Sequence, residues 1–112
     1  MPRDYRVYLD DILAAAGKTQ EYTSGLTLDG LSADVKTLEA VLYNLQVIGE
    51  AAKNVPQDVR DEYPDVEWQK MAGLRNILVH EYFGIDVEII WDVVCNNVPQ
   101  LCQQVEQILS QG

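Results

Sequence analysis

A chain of 112 residues has room for one domain around one core, spanning 1–112, and excludes a two-domain enzyme. Hydrophobic residues at 47% and charged residues at 23%, with 7 Gly and 4 Pro, describe an ordinary folded protein and exclude a disordered tail or a collagen-like fibre. Asp and Glu number 18 against 8 Lys and Arg, a net charge of -10, so the molecule repels polyanions at long range and any nucleic-acid chemistry needs a local basic pocket.

From Asp4 to about Tyr22 the residues Tyr5, Tyr8, Leu9, Ile12, Leu13 and Ala16 recur at spacings of three and four, which predicts a first amphipathic helix. Thr23-Ser24-Gly25 is a break, Thr27 to Leu31 reads as a short turn, and Ser32 is an N-cap candidate. A second helix is predicted from about Ala33 to Lys53, with Val35, Leu38, Val41, Leu42, Leu45, Ile48, Gly49 and Ala52 in one apolar stripe. Gly49 in mid-helix costs about 1 kcal/mol relative to Ala, which points to a neighbour whose backbone approaches closely there.

Asn54-Val55-Pro56 ends that helix, and Pro56 to Tyr63 reads as a short helix stopped by Pro64. A third long helix is predicted from about Glu67 to His80, and a fourth from an N-cap at Asp86 toward Leu109. Pro99 lies inside that last stretch, where it kinks the helix or starts a fresh one. Val and Ile fall at helical spacing rather than in alternation, so no strands are predicted. The fold class is all-α, an antiparallel up-and-down bundle of four to five helices.

Cys95 and Cys102 stand seven residues apart on a predicted helix, roughly 10 Å along its axis, too far to bridge. Two lone thiols and a single histidine argue against zinc, which takes about four ligands, so neither a metal nor a cofactor is predicted. The opening MPRDYRVYLDDILAAAG scatters charges through its apolar positions, unlike a signal peptide, and no run approaches the roughly 20 apolar residues of a membrane span. A reducing cytoplasm without membrane contact is the expected location.

The chemistry concentrates in WQKMAGLRNILVHEYF, Trp68 to Phe83. At about 100° per residue Trp68, Met71, Ala72, Arg75, Leu78, Val79 and Tyr82 share one face, with Arg75 inside an apolar stripe. A guanidinium almost never enters a core unpaired, so Arg75 either meets a carboxylate or lines a cleft. Gln69, Asn76 and His80 gather on a second, polar side. His80 lies about 140° from Arg75 on an ideal helix, and the two converge if the helix loosens or ends near Val79. Each residue also has a plain structural reading: an ion pair for Arg75, a helix C-terminal charge for His80, and core packing with the polar atom in water for Trp68 and Tyr82.

Arg75-Asn76, Ile77-Leu78-Val79 and His80-Glu81-Tyr82 make the pattern Arg, four residues, His, one residue, Tyr, which resembles the signature of the HepT-like toxins of the HEPN superfamily. The likeness runs over nearly the whole chain: YLDDIL at 8–13, NLQVIGEAAK at 44–53, Tyr63-Pro64, Trp68, and YFGID followed by Trp91 resemble the family in order and spacing. Tyr43 departs from it, standing where many relatives carry Arg, so no basic grip on RNA from that helix is implied. The resemblance implies a HEPN-like all-α bundle that forms a homodimer with the two signature segments facing across a cleft. It further implies a metal-independent endoribonuclease toxin of a type VII-like toxin–antitoxin pair, acting on RNA such as tRNA or mRNA. The implied partner is a minimal nucleotidyltransferase antitoxin of the MntA type, which transfers AMP to the toxin. By the same resemblance Arg75 and His80 are catalytic, Asn76 supports them, and Tyr82 is the AMPylation site.

The chemistry is sound from below. RNA is cut without metal when a base takes the 2′-OH proton and a cation stabilises charge building on the phosphorus oxygens. Histidine, titrating near pH 6.5, serves as base or acid, and the planar guanidinium matches two phosphate oxygens. A mechanism with a histidine base and a histidine acid needs two copies of this chain, which has one histidine. Two other readings stay open: a non-catalytic dimeric partner that binds a nucleotidyltransferase or a nucleotide, and a structural helical dimer in which Arg75 is salt-bridged and sealed from solvent.

Overall fold

A computed structural model describes residues 4–80 and 86–111, with the side chains of residues 76–80 outside the description. All regular structure among the described residues is helical: α1 (Tyr5–Thr23), α2 (Leu28–Ala33), α3 (Val35–Asn54), α4 (Gln57–Glu62), α5 (Trp68–His80), α6 (Val87–Asp92) and α7 (Val98–Ser110), with a π-turn at Val93–Asn97. The four long helices lie side by side in the order α5, α3, α1, α7, so α3 packs between α5 and α1. Their shared interior holds Leu9, Ile12, Leu45, Ile48, Val98 and Val105, all at or near zero exposure. Burying each such aliphatic side chain contributes about 1.5–3 kcal/mol.

Long-range polar contacts fix the directions. Arg6 at the start of α1 donates from Nη2 to the Leu109 carbonyl at the end of α7, 2.9 Å, while Cys102 early in α7 lies 3.3 Å from Gln20 Oε1 late in α1. Those helices are therefore antiparallel. Tyr22, late in α1, lines a surface hollow with Lys36 and Ala40 from the start of α3, so α1 and α3 are antiparallel too.

The helix ends follow the sequence with instructive exceptions. Asp4 caps α1 by accepting from the Arg6 N–H at 3.0 Å, and Gly25 leaves it at φ 78°, a left-handed conformation that favours glycine. The predicted turn at Thr27–Leu31 is instead part of α2, because Thr27 accepts from the Gly30 N–H at 3.0 Å and nucleates a helix of its own. Ser32 lies inside α2 and does not cap α3; Asp34 does, accepting from Thr37 N at 3.1 Å and Thr37 Oγ1 at 2.6 Å. The Thr37 hydroxyl, then its backbone N–H, hold the Asp34 carboxyl below its usual range. Val35, counted in the apolar stripe, sits in the first turn of α3 and is exposed.

Pro99 marks a fresh helix start, one of the two outcomes predicted for it. It stands at the second position of α7, directly after the π-turn, where the Val98 N–H reaches the Val93 carbonyl and the ladder shifts before the residue that lacks a donor. Asp86 caps α6 as predicted, through the Glu88 N–H at 2.9 Å. Cys95 is exposed and Cys102 buried, both as free thiols, and desolvation pushes the Cys102 thiol up. No described helix is long and apolar enough to cross a membrane.

Candidate active site around Arg75

The path from α3 into α5 is pinned by two groups whose partners the sequence did not reveal. Arg60 on α4 donates from Nε to the Val55 carbonyl at 3.0 Å and from Nη2 to those of Ala52 and Lys53 at 3.1 and 2.7 Å. It thereby adds side-chain donors to carbonyls at and just past the C-terminus of α3, where the only backbone donor among them is the Val55 N–H, 3.3 Å from the Ala52 carbonyl. Trp68 is buried at the start of α5, and its Nε1 donates to the Tyr63 carbonyl at 2.9 Å rather than to water. Together they set the angle at which α5 meets α3.

That meeting is closest at Gly49. A Cβ built there would lie 2.8 Å from the Arg75 backbone N, 3.1 Å from the Arg75 Cβ and 3.1 Å from the Met71 carbonyl oxygen. The mid-helix glycine of α3 is thus the gap into which the α5 backbone settles, as its cost in helix propensity implied. With its backbone so deep, Arg75 cannot stay in the stripe formed by Trp68, Met71 and Leu74; its long chain runs outward instead, leaving the side chain 36% exposed. There its Nε lies 2.6 Å from Glu50 Oε2, on the residue after the glycine.

Both sequence-level alternatives for Arg75 hold at once: it meets a carboxylate and it lines an open depression of about 330 Å³ with Tyr43, Gln46, Val47 and Glu50. The purely structural reading required a sealed pair, whereas Glu50 is 51% exposed. An ion pair this exposed typically contributes about 0.2–1 kcal/mol. A larger hollow of about 820 Å³ lies elsewhere, between α4 and the start of α5, and its one guanidinium, Arg60, is committed to the α3 carbonyls.

Asn76 and His80 follow on the last two turns of α5, but their side chains lie outside the described residues, as does Tyr82 altogether. The helix is continuous through His80, so ideal turning keeps about 140° between Arg75 and His80 on one chain. Among the described residues no group of three or more His, Cys, Asp or Glu could hold a metal ion.

Residues 12–108 match the family described as Ribonuclease HepT-like. The chain belongs to the HepT-like ribonuclease family. Among its relatives, "Putative RNase MJ0127" of Methanocaldococcus jannaschii is 46% identical over 110 residues, covering 97% of this chain and 91% of that protein. "Probable ribonuclease HepT" of Thermococcus cleftensis is 37% identical over 108 residues, covering 96% and 98%. No solved structure matches the chain. In this HepT-like chain Glu50 is the partner of Arg75 that the sequence concealed: it stands inside NLQVIGEAAK, one position after the glycine that marks the crossing, and adjacency to that glycine is the signal that points to it.

Proposed function

We propose that the chain is a metal-independent endoribonuclease that cuts RNA in a cleft between two copies of itself. The observation that carries this reading is an Arg75 side chain held at the surface by the crossing at Gly49, beside an open depression, in a chain of the HepT-like ribonuclease family. Arg75 binds the scissile phosphate and stabilises charge as it develops on the phosphorus oxygens. His80 moves protons: one copy takes the 2′-OH proton as that oxygen attacks phosphorus, and its counterpart gives a proton to the departing 5′ oxygen. The angle between Arg75 and His80 on a continuous helix supports pairing groups across a dimer, as does the single histidine per chain. Asn76, next to Arg75, supplies a further polar contact.

The products carry 2′,3′-cyclic phosphate and 5′-hydroxyl ends, and cleavage proceeds in EDTA. End mapping of RNA digested under those conditions tests the proposal; 3′-hydroxyl and 5′-phosphate ends, or an absolute need for metal, contradict it.

The chain acts as the toxin of a toxin–antitoxin pair whose partner is a nucleotidyltransferase of the MntA type. Attack of the Tyr82 hydroxyl on the α-phosphorus of ATP, with loss of its proton and departure of pyrophosphate, adds a negative phosphate and a base close to the signature segment, where they compete with RNA for Arg75. Modified protein, identified by intact mass, is expected to lose cleavage, while Tyr82→Phe neither gains the AMP mass nor responds to the partner. A Tyr82→Phe protein that is still modified and silenced places the modification elsewhere.

A further inference from the structure

We propose that Glu50 is a positioning residue for Arg75, holding the guanidinium by its Nε edge so that the remaining edge faces a phosphate in the depression; the proposal rests on the ribonuclease reading above. Arg75 has several rotatable bonds and emerges from a crossing that fixes its backbone but not its tip. Glu50 supplies the missing constraint through the 2.6 Å contact between Nε and Oε2. A guanidinium offers five donors in a planar fork, so an acceptor taken at Nε leaves donors on the far edge for a second anion. Among the described residues no other acid pairs with Arg75.

The location supports a role in the reaction rather than in folding. Both side chains are substantially exposed, where an ion pair does little for stability, and both line the same depression. Gly49 and Glu50 are consecutive, so one turn of α3 sets both the depth of the Arg75 backbone and the direction of its tip. Glu50 also carries a negative charge beside the phosphate position, so its presence weakens RNA binding. A residue kept for affinity would not be acidic.

The test is Glu50→Gln, read by single-turnover and steady-state cleavage and by the Arg75 Nε–H resonance in NMR spectra. A misplacement of about 1 Å in a reacting constellation costs about 100-fold, so kcat is expected to fall by about 10- to 100-fold, with KM unchanged or lower. The Arg75 Nε–H resonance should move toward the position of a solvated arginine, and Glu50→Asp should recover part of kcat. In an Arg75→Lys background, which lacks the Nε donor, Glu50→Gln should change kcat by less than about threefold. Cleavage that is unchanged or faster in Glu50→Gln overturns the proposal, as does an equal loss in the Arg75→Lys background or an unmoved Nε–H resonance. If the parent itself is inert on RNA, the ribonuclease reading fails and the catalytic role of Glu50 with it, whereas a resonance that still moves identifies the pair as structural.

Discussion

Gly49→Ala is expected to lower the melting temperature by roughly 5–15 °C and to cut RNA cleavage by about 100-fold. Two effects compete at this position. Alanine is favoured over glycine in a helix by about 1 kcal/mol, which alone stabilises. Against this, the new Cβ would meet the Arg75 backbone nitrogen at 2.8 Å and the Met71 carbonyl oxygen at 3.1 Å, and neither atom has a rotamer into which to move. Overpacking of this kind costs about 1–3 kcal/mol, and a backbone neighbour puts it in the upper part of that range. The clash therefore wins, and relief comes by moving α5 off α3, which carries Arg75 away from Glu50. Gly17 on α1 is the control: an added Cβ there meets nothing within 4 Å, so Gly17→Ala should stabilise by about 0.4–1 kcal/mol and leave cleavage intact. Thermal unfolding of both variants decides the matter, and a Gly49→Ala protein as stable as the parent contradicts the packing described here.

The long helices were legible because each writes its buried face at a spacing of three and four, and the crossing at Gly49 was legible because a glycine there is unfavourable without a close neighbour. The short segments were less so. Ser32 and Asp34 are both good capping residues, and only the reciprocal bonds from Thr37 select Asp34; Thr27 likewise became a cap because Gly30 presents its N–H to it. Arg60 drew no reading from the sequence, because its partners are backbone carbonyls at the end of α3 that carry no signature in side-chain chemistry.

At the site, the sequence placed Arg75 in an apolar stripe and required either a carboxylate or a cleft. Which of 18 acids it meets depends on the register between α3 and α5, and that register is a property of packing, not of either helix alone. Family membership came through because the signature is accompanied by other motifs in the right order along nearly the whole chain. The roles of Asn76, His80 and Tyr82 rest on that signature and on general acid–base chemistry, because the Asn76 and His80 side chains and the whole of Tyr82 lie outside the described residues.

His80→Ala is expected to have the largest effect on function, removing the one side chain in the molecule whose ordinary titration range suits proton transfer near neutrality. General acid–base catalysis is worth about 10²- to 10⁴-fold per group, and in a dimer the substitution removes both the base and the acid, so activity should fall below detection in an ordinary assay. Cleavage of total cellular RNA in EDTA by parent and His80→Ala, on protein whose intact mass excludes AMP on Tyr82 and whose unfolding curves coincide, is the measurement that bears most directly on this account. Cutting by the parent and none by the variant is the result it predicts. Equal cutting by both, or an unmodified parent that leaves RNA intact, would contradict it.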